Sequence, residues 1–360
     1  MIALRHPDRV REINFSLTSP IIGSIAGVVQ VPFLALKGIQ MASKDAEEPP
    51  VLGEFLGGSA PLLEQIDLDG IAVPFPAIRR LVLSTSHLNR LWLRKIPHTC
   101  YFPPEDLVTC LSTLVHLKDL YVAFRSPASR PNPRMARPPP SERTALPSLV
   151  NLVFYGASEY LEVLVARIDC PVLTFLVINY FNQLIFEIPQ LVHFISRVDG
   201  LKSPTEVAVK PAKMFAAMSL RRGRRRRGEC YIRLPSSDLD WQLSFSTQIL
   251  DQLSPLLCSV HSLSIIKSPF PLIGKEDVDP TQWLELFQAL TQISKVRVSI
   301  EELVPDVMRA LVSEDMTIGI LPRLTSLHLE GVRKSTFAIE AGERFVATRK
   351  LAGRNILLSG

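Results

Sequence analysis

The chain has 360 residues, 47% hydrophobic and 21% charged, a composition that excludes a disordered polymer and fits a folded, globular one. Its formal net charge is +5, but six arginines sit in Arg221-Arg222-Gly223-Arg224-Arg225-Arg226-Arg227, and without them the charge is −1, which excludes a fold-wide basic surface for nucleic acid. The five cysteines form no CxxC pair, so neither a zinc site nor a disulfide framework is expected, and a reducing cytoplasm or nucleus suits them.

The start, Met1 to Asp8, lacks the apolar core of a signal peptide. Ile21 to Val31 is apolar but far too short to span a bilayer, so no membrane association is expected.

From there one six-residue pattern recurs, apolar at its first, fourth and sixth positions. It reads Leu63-x-x-Ile66-x-Leu68, Ile78-x-x-Leu81-x-Leu83, Leu88-x-x-Leu91-x-Leu93, Leu117-x-x-Leu120-x-Val122, Leu149-x-x-Leu152-x-Phe154, Leu173-x-x-Leu176-x-Ile178 and Leu324-x-x-Leu327-x-Leu329. Weaker copies start at Val10, Leu36, Val260 and Ile293. This is the signature of a leucine-rich repeat, a unit that buries its apolar side only by stacking on neighbours. The spacings Leu36 to Leu63 (27), Leu88 to Leu117 (29), Leu117 to Leu149 (32) and Leu149 to Leu173 (24) leave room for one strand and one crossover each. The steps into and out of Ile78 are shorter, and loops or 3₁₀ pieces are expected there.

Helical periodicity falls between the strands. It appears at Glu105 to Leu114, at Ser158 to Ile168 with Ser158 as N-cap, and at Pro189 to Val198. Further copies begin at Asp279-Pro280, with Asp279 as N-cap, and cover Pro305 to Val312 and Ala338 to Arg349. Cys110 and Cys170 lie in apolar segments and read as small core residues. Strand and helix thus alternate. The expected fold is an α/β, irregular leucine-rich-repeat solenoid over residues 1–360, a curved parallel sheet with helices on its convex side. Two stretches break the rhythm: a Pro/Arg-rich loop at 126–147, and an irregular insertion at 203–230 that carries the arginine tract. Glu206 to Val209 and Tyr231 to Leu234 could be strands beside that tract.

Several phrases together carry a family likeness. They are Phe124-Arg125-Ser126-Pro127, Leu164 to Leu173, Phe181 to Leu191 and Asp240-Trp241-Gln242-Leu243-Ser244. On these the chain resembles F-box-type proteins with irregular leucine-rich repeats from mushroom-forming fungi, over about Arg9 to Ala352. The resemblance implies a substrate receptor of a cullin-type ubiquitin ligase, in which an N-terminal F-box docks on the Skp adaptor and the repeats hold a protein target. The first motif begins at Val10, which leaves no room upstream for an F-box. Two expectations follow: a repeat half of a longer product, or a repeat scaffold that binds protein with no ligase link. Skp adaptor and cullin are expected partners only through an F-box.

No G-x-S-x-G elbow, phosphate-binding loop or G-x-G-x-x-G occurs, and His116, His261 and His328 are spread along the repeats. No enzyme activity, cofactor or metal is expected. Alternation along a strand instead puts the fifth motif position on the face opposite the core. Those positions are Asp67, Val82, Trp92, Tyr121, Val153, Val177, Ser264, Arg297 and His328, apolar or aromatic from Val82 to Val177. Trp92, Tyr121, Val153 and Val177, with Phe175 beside them and Arg90 and Arg94 on the rim, are the candidate protein-binding residues, because aromatic side chains and arginine concentrate binding energy. The competing reading is that the Pro-rich loop or the irregular segment folds over this row. Arg221, Arg222, Arg224, Arg225, Arg226 and Arg227 are a candidate import or RNA-contact tract, against a plain solvated loop or an altered reading frame or retained intron in place of a strand. A monomer is expected.

Overall fold

The computed structural model describes residues 6–45, 50–132, 138, 141–181, 187–212, 214–223, 228–236, 238–266, 280–312, 320–330, 336–351 and 353–359. It is a mixed α/β protein whose strands are mostly parallel, and it divides into two compact units: Met1–Phe181 with Arg197–Asp199, and Asn182–Ser196 with Gly200–Gly360.

In the first unit, strands β1 (Glu12–Leu17), β2 (Gly38–Ser43), β3 (Gln65–Asp69), β4 (Arg90–Ile96) and β5 (Asp119–Phe124) follow one another across the sheet. A two-residue strand β6 (Thr144–Ala145) precedes β7 (Asn151–Gly156), and another, β8 (Ile168–Asp169), precedes β9 (Phe175–Tyr180). The large sheet runs β1-β2-β3-β4-β5-β7-β9, every pair parallel. Helices α1 (Ser19–Ala26), α2 (Phe75–Leu83), α3 (Pro104–Leu111) and α4 (Ser158–Val165) lie on crossovers between parallel neighbours.

The six-residue motif explains both packing and register. Its apolar positions are buried in β3, β4, β5, β7 and β9. Burying such a side chain contributes about 1.5–3 kcal/mol. A tight turn precedes the first motif residue in repeat after repeat. Leu63 N donates to Ala60 O at 3.1 Å, Leu117 N to Leu114 O at 3.1 Å, Leu149 N to Leu146 O at 3.2 Å and Leu173 N to Cys170 O at 3.2 Å.

One hexad is not a strand. Ile78-x-x-Leu81-x-Leu83 lies in α2, where Phe75, Ala77, Ile78, Leu81 and Val82 are buried and Leu83 is 49% exposed. Apolar residues three apart fit a strand motif and a helix face equally well. Pro76 at the helix start and the single long step from Leu63 to Leu88, 25 residues, select the helix. The loops expected on either side of Ile78 are therefore one helical crossover, and Val82 is a core residue. At α4 the N-cap position falls on Ala157, so Ser158 is the first helical residue and no side chain caps the end.

The described part of the Pro/Arg-rich loop is anchored on the helical side. β6 pairs with β8, Leu146 is buried, and the Pro138 carbonyl accepts from Arg167 Nη2 at 3.4 Å. Arg167 is itself buried beside Glu105, 3.3 Å away. Arg137, Pro139 and Pro140 lie outside the described residues.

The second unit contains helix α5 (Pro189–Arg197), whose last residue belongs to the first unit. Next come strands β10 (Glu206–Ala212), β11 (Phe215–Arg221) and β12 (Glu229–Pro235), joined as antiparallel neighbours. The segment 203–230, read from sequence as an irregular insertion, therefore holds β10, β11 and the start of β12. Helix α6 (Leu239–Leu253) is capped by Asp238, whose Oδ1 accepts from Trp241 N at 3.1 Å. β13 (Ser262–Ile265), α7 (Pro280–Gln288), β14 (Lys295–Val298), α8 (Val304–Val312), β15 (Ser326–Leu329), α9 (Thr336–Leu351) and β16 (Leu357–Ser359) complete it, with β10, β13, β14, β15 and β16 parallel in that order. Asp279, the expected cap of α7, lies outside the described residues. The pre-motif turn recurs here too, Val260 N donating to Leu257 O at 3.0 Å and Leu324 N to Leu321 O at 3.0 Å.

Candidate functional site

The face of the first sheet opposite the motif core carries three side-chain rows. The central one runs Asn14, Gln40, Asp67, Trp92, Tyr121, Val153 and Val177, each opposite the next across a strand pair. The row before it includes Gln65, Arg90, Asp119, Asn151 and Phe175; the row after it includes Asp69 and Arg94, with Tyr155 opposite Ala123. Neighbouring strands stand about 4.8 Å apart. Residues distant in sequence thus become adjacent without any loop having to position them.

Trp92 is the pivot. Its ring centroid is 6.1 Å from that of Tyr121, at 53°. The guanidinium carbons of Arg90 and Arg94 lie 4.8 and 5.5 Å from the Trp92 centroid, so both cations stack on the indole. Arg94 is fixed by Asp67: Nη2 lies 2.7 Å from Oδ1 and 2.9 Å from Oδ2, and Nε is 3.0 Å from Oδ1. Its Nη1 is 3.5 Å from Asp69 Oδ2, and Lys95 Nζ is 3.1 Å from Asp69 Oδ1. Lys95 has φ +50° where the β4–β5 register shifts, and this bulge turns its ammonium to the same acid. Arg90 is held less tightly. Nη1 donates to Gln65 Oε1 at 3.3 Å and Nε is 3.9 Å from Asp119 Oδ2, while Asn151 donates to Asp119 Oδ1. The arginines expected on a rim are thus supports of the tryptophan.

Beyond Tyr121 the surface becomes apolar. Val153 and Val177 are half-buried, Phe175 is 38% exposed, and Tyr155 meets Phe181 edge to face at 5.2 Å. Burial raises the Tyr121 phenol above its ordinary pKa; nearby Arg94 opposes this, while Asp69 and Tyr155 reinforce it. Tyr121 is therefore a neutral donor or acceptor at physiological pH.

Trp92, Tyr121, Val153, Val177, Phe175, Arg90 and Arg94, the candidate residues of the motif, come together on this face of the sheet. Val82 is not among them. Gln40, which the fifth-position rule assigns once the Leu36 motif is included, extends the polar end of the row instead. Asp69, Asp119 and Lys95 were missed as members of the network.

The arginine tract divides. Arg221 is the last residue of β11, its Nε 2.9 Å from Glu229 Oε1, and Arg222 N donates to Gly228 O at 3.2 Å. Arg224, Arg225, Arg226 and Arg227 lie outside the described residues.

Among the described residues no three His, Cys, Asp or Glu side chains could together hold a metal ion, and no helix is long and apolar enough to cross a membrane. A cleft of about 230 Å³ in the second unit is lined by Leu257, Cys258, Val260, Leu290, Ile293 and small or polar neighbours, with no charged group. The Cys258 thiol is exposed there, whereas Cys100, Cys110, Cys170 and Cys230 are buried. No protein-family model matches the chain, and no curated protein matches it.

Proposed function

We propose that the chain is a protein-binding leucine-rich-repeat module whose binding surface is the Trp92–Tyr121 face of the first unit. Its target is a protein, and its own work is recognition rather than catalysis. The observation that supports this reading is the central row. Seven parallel strands, fed by a recurring turn and a recurring apolar motif, align one non-core residue each. The middle of that row is aromatic and half-buried, flanked by arginines already placed by carboxylates. Side chains held in position before binding lose little entropy on binding. The described part of the Pro/Arg-rich loop is tied to β8 and Arg167, which favours a face open to a partner over one covered by that loop.

Within this reading the ligase role rests on the family resemblance. The chain would be the target-recognition part of an F-box-type receptor working in the cytoplasm or nucleus. The test is affinity purification of the tagged chain from its own cells beside the Trp92→Ala/Tyr121→Ala variant. A target protein lost in the variant supports the binding face. Skp adaptor and cullin in both eluates support the ligase role; a target without them makes the chain a standalone scaffold; equal target capture by both chains refutes the face.

A further inference from the structure

The aromatic and apolar row of the Trp92 face runs across the strands. Trp92, Tyr121, Val153 and Val177 come from β4, β5, β7 and β9, each opposite the next. Along the strands the row is narrow: Trp92 lies between Arg90 and Arg94, Tyr121 follows Asp119, Val153 follows Asn151 and Val177 precedes Asn179. Beyond Tyr121 it becomes a shallow groove. Val153 and Val177, short and only half-buried, are its floor. The longer Tyr155 and Phe175 rise on opposite sides, Tyr155 held edge to face by Phe181 at 5.2 Å and Phe175 38% exposed.

A ligand that follows this row has to match its repeat. Neighbouring strands stand about 4.8 Å apart, so the three steps from Trp92 to Val177 cover about 14 Å. An α-helix rises about 1.5 Å per residue, and its residues i, i+3, i+7 and i+10 share one face and cover about 15 Å. Four same-face residues of an extended strand cover about 20 Å and fall out of step with the row.

Charge decides what the helix presents. The charged side chains around Trp92 pair with one another: Arg94 with Asp67 and Asp69, Lys95 with Asp69 and Arg90 with Asp119. A charged residue of the target set over them would have to compete with a pair already formed. On this face β7 and β9 carry no charged residue. The complement of such a row is an uncharged, apolar stripe. We infer that the target presents an amphipathic α-helix laid across β4, β5, β7 and β9, its apolar stripe at i, i+3, i+7 and i+10 over Trp92, Tyr121, Val153 and Val177. This rests on the protein-binding reading of the face and adds the form and chemistry of the partner.

The test selects binders of the full chain from two display libraries of equal size. One randomises one face of a helix on a small stable scaffold; the other randomises an exposed edge strand on a scaffold of similar size. Binders are assigned to the face by weakened binding to Trp92→Ala and to Val177→Gln, at opposite ends of the row, each variant checked for folding by circular dichroism. Helical binders with uncharged, apolar residues at the four positions are expected to predominate, each weakened about tenfold or more by either substitution. Their affinity is expected to change less than about threefold between about 0.05 and 0.5 M salt. Face binders that come as often or more often from the strand library overturn the helix and leave the binding face standing. So do helical binders that need a charged residue over the row and weaken about tenfold in high salt. If no binder from either library responds to the two substitutions, the face itself fails with the helix.

Discussion

Arg94 and Asp67 are 27 residues apart in sequence and joined by three hydrogen bonds across the β3–β4 pair, the shortest 2.7 Å. The bond is more than a surface ion pair. The Asp67 side chain is 11% exposed and that of Arg94 27%, and the same guanidinium stacks on Trp92. Arg94→Ala strands a nearly buried carboxylate and is expected to lower stability by about 2–3 kcal/mol in urea unfolding. Asp67→Asn keeps an acceptor and is expected to cost about half as much. If the two residues act as a unit, the double variant is less destabilised than the sum of the singles.

Gly228 follows the arginine tract and makes an unusually close approach to the chain. A Cβ built on it falls 1.7 Å from the Gly200 carbonyl oxygen, a backbone atom that cannot swing aside. Gly228→Ala is expected to force β12 from its position beside β11 and lower stability by about 2–4 kcal/mol, read as a shift of the urea midpoint. Gly223, at φ +69° with open space around its Cβ position, is the control. Gly223→Ala meets backbone strain alone and is expected to cost about 1 kcal/mol.

The strands of the first unit were legible because their period and their burial are one signal: an apolar hexad maps directly onto core positions. Helix α2 was illegible for a related reason, since Ile78 and Leu81 satisfy both periods and only Leu83, exposed in the structure, tells them apart. β11 gave no pattern because every residue from Phe215 to Leu220 is buried, so apolar and polar positions do not alternate. The candidate face was readable one residue at a time through the fifth motif position. Its charge network was not, because Arg94 with Asp67 and Arg90 with Gln65 meet only through strand register.

Burial raises the Tyr101 phenol from 10.0 to about 12, and the Cys110 and Cys230 thiols from 9.0 to about 12. Each group keeps its proton longer in the folded chain than in the unfolded one. The resulting stability is fully present below the unfolded values, near pH 9 to 10, and is lost as pH rises toward the folded ones. The urea midpoint is therefore expected to be flat between about pH 7 and 8.5 and to fall above about pH 9.5. Under native conditions at about pH 8, a thiol reagent is expected to label Cys258 rapidly and the buried Cys100, Cys110, Cys170 and Cys230 only on unfolding. Rapid labelling of more than one thiol in the folded chain contradicts this.

Trp92 and Val82 make the sharpest contrast, because the motif gave both the same role and the structure separates them. Val82 is fully buried on α2, so Val82→Ala is expected to cost about 2 kcal/mol of stability and to leave target affinity unchanged in the folded chain. Trp92 is half-buried on the candidate face under Arg90 and Arg94, so Trp92→Ala is expected to cost about 1 kcal/mol of stability through the lost stacking. Its larger effect is expected in binding, about 2 kcal/mol or more, with Tyr121→Ala of similar size. The two substitutions share a neighbouring ring at 6.1 Å, so their binding losses are expected to be less than additive. Calorimetric titration of the target into each variant, beside its urea midpoint, separates the two kinds of loss. Equal affinity losses for Val82→Ala and Trp92→Ala would mean that binding follows overall stability rather than this face.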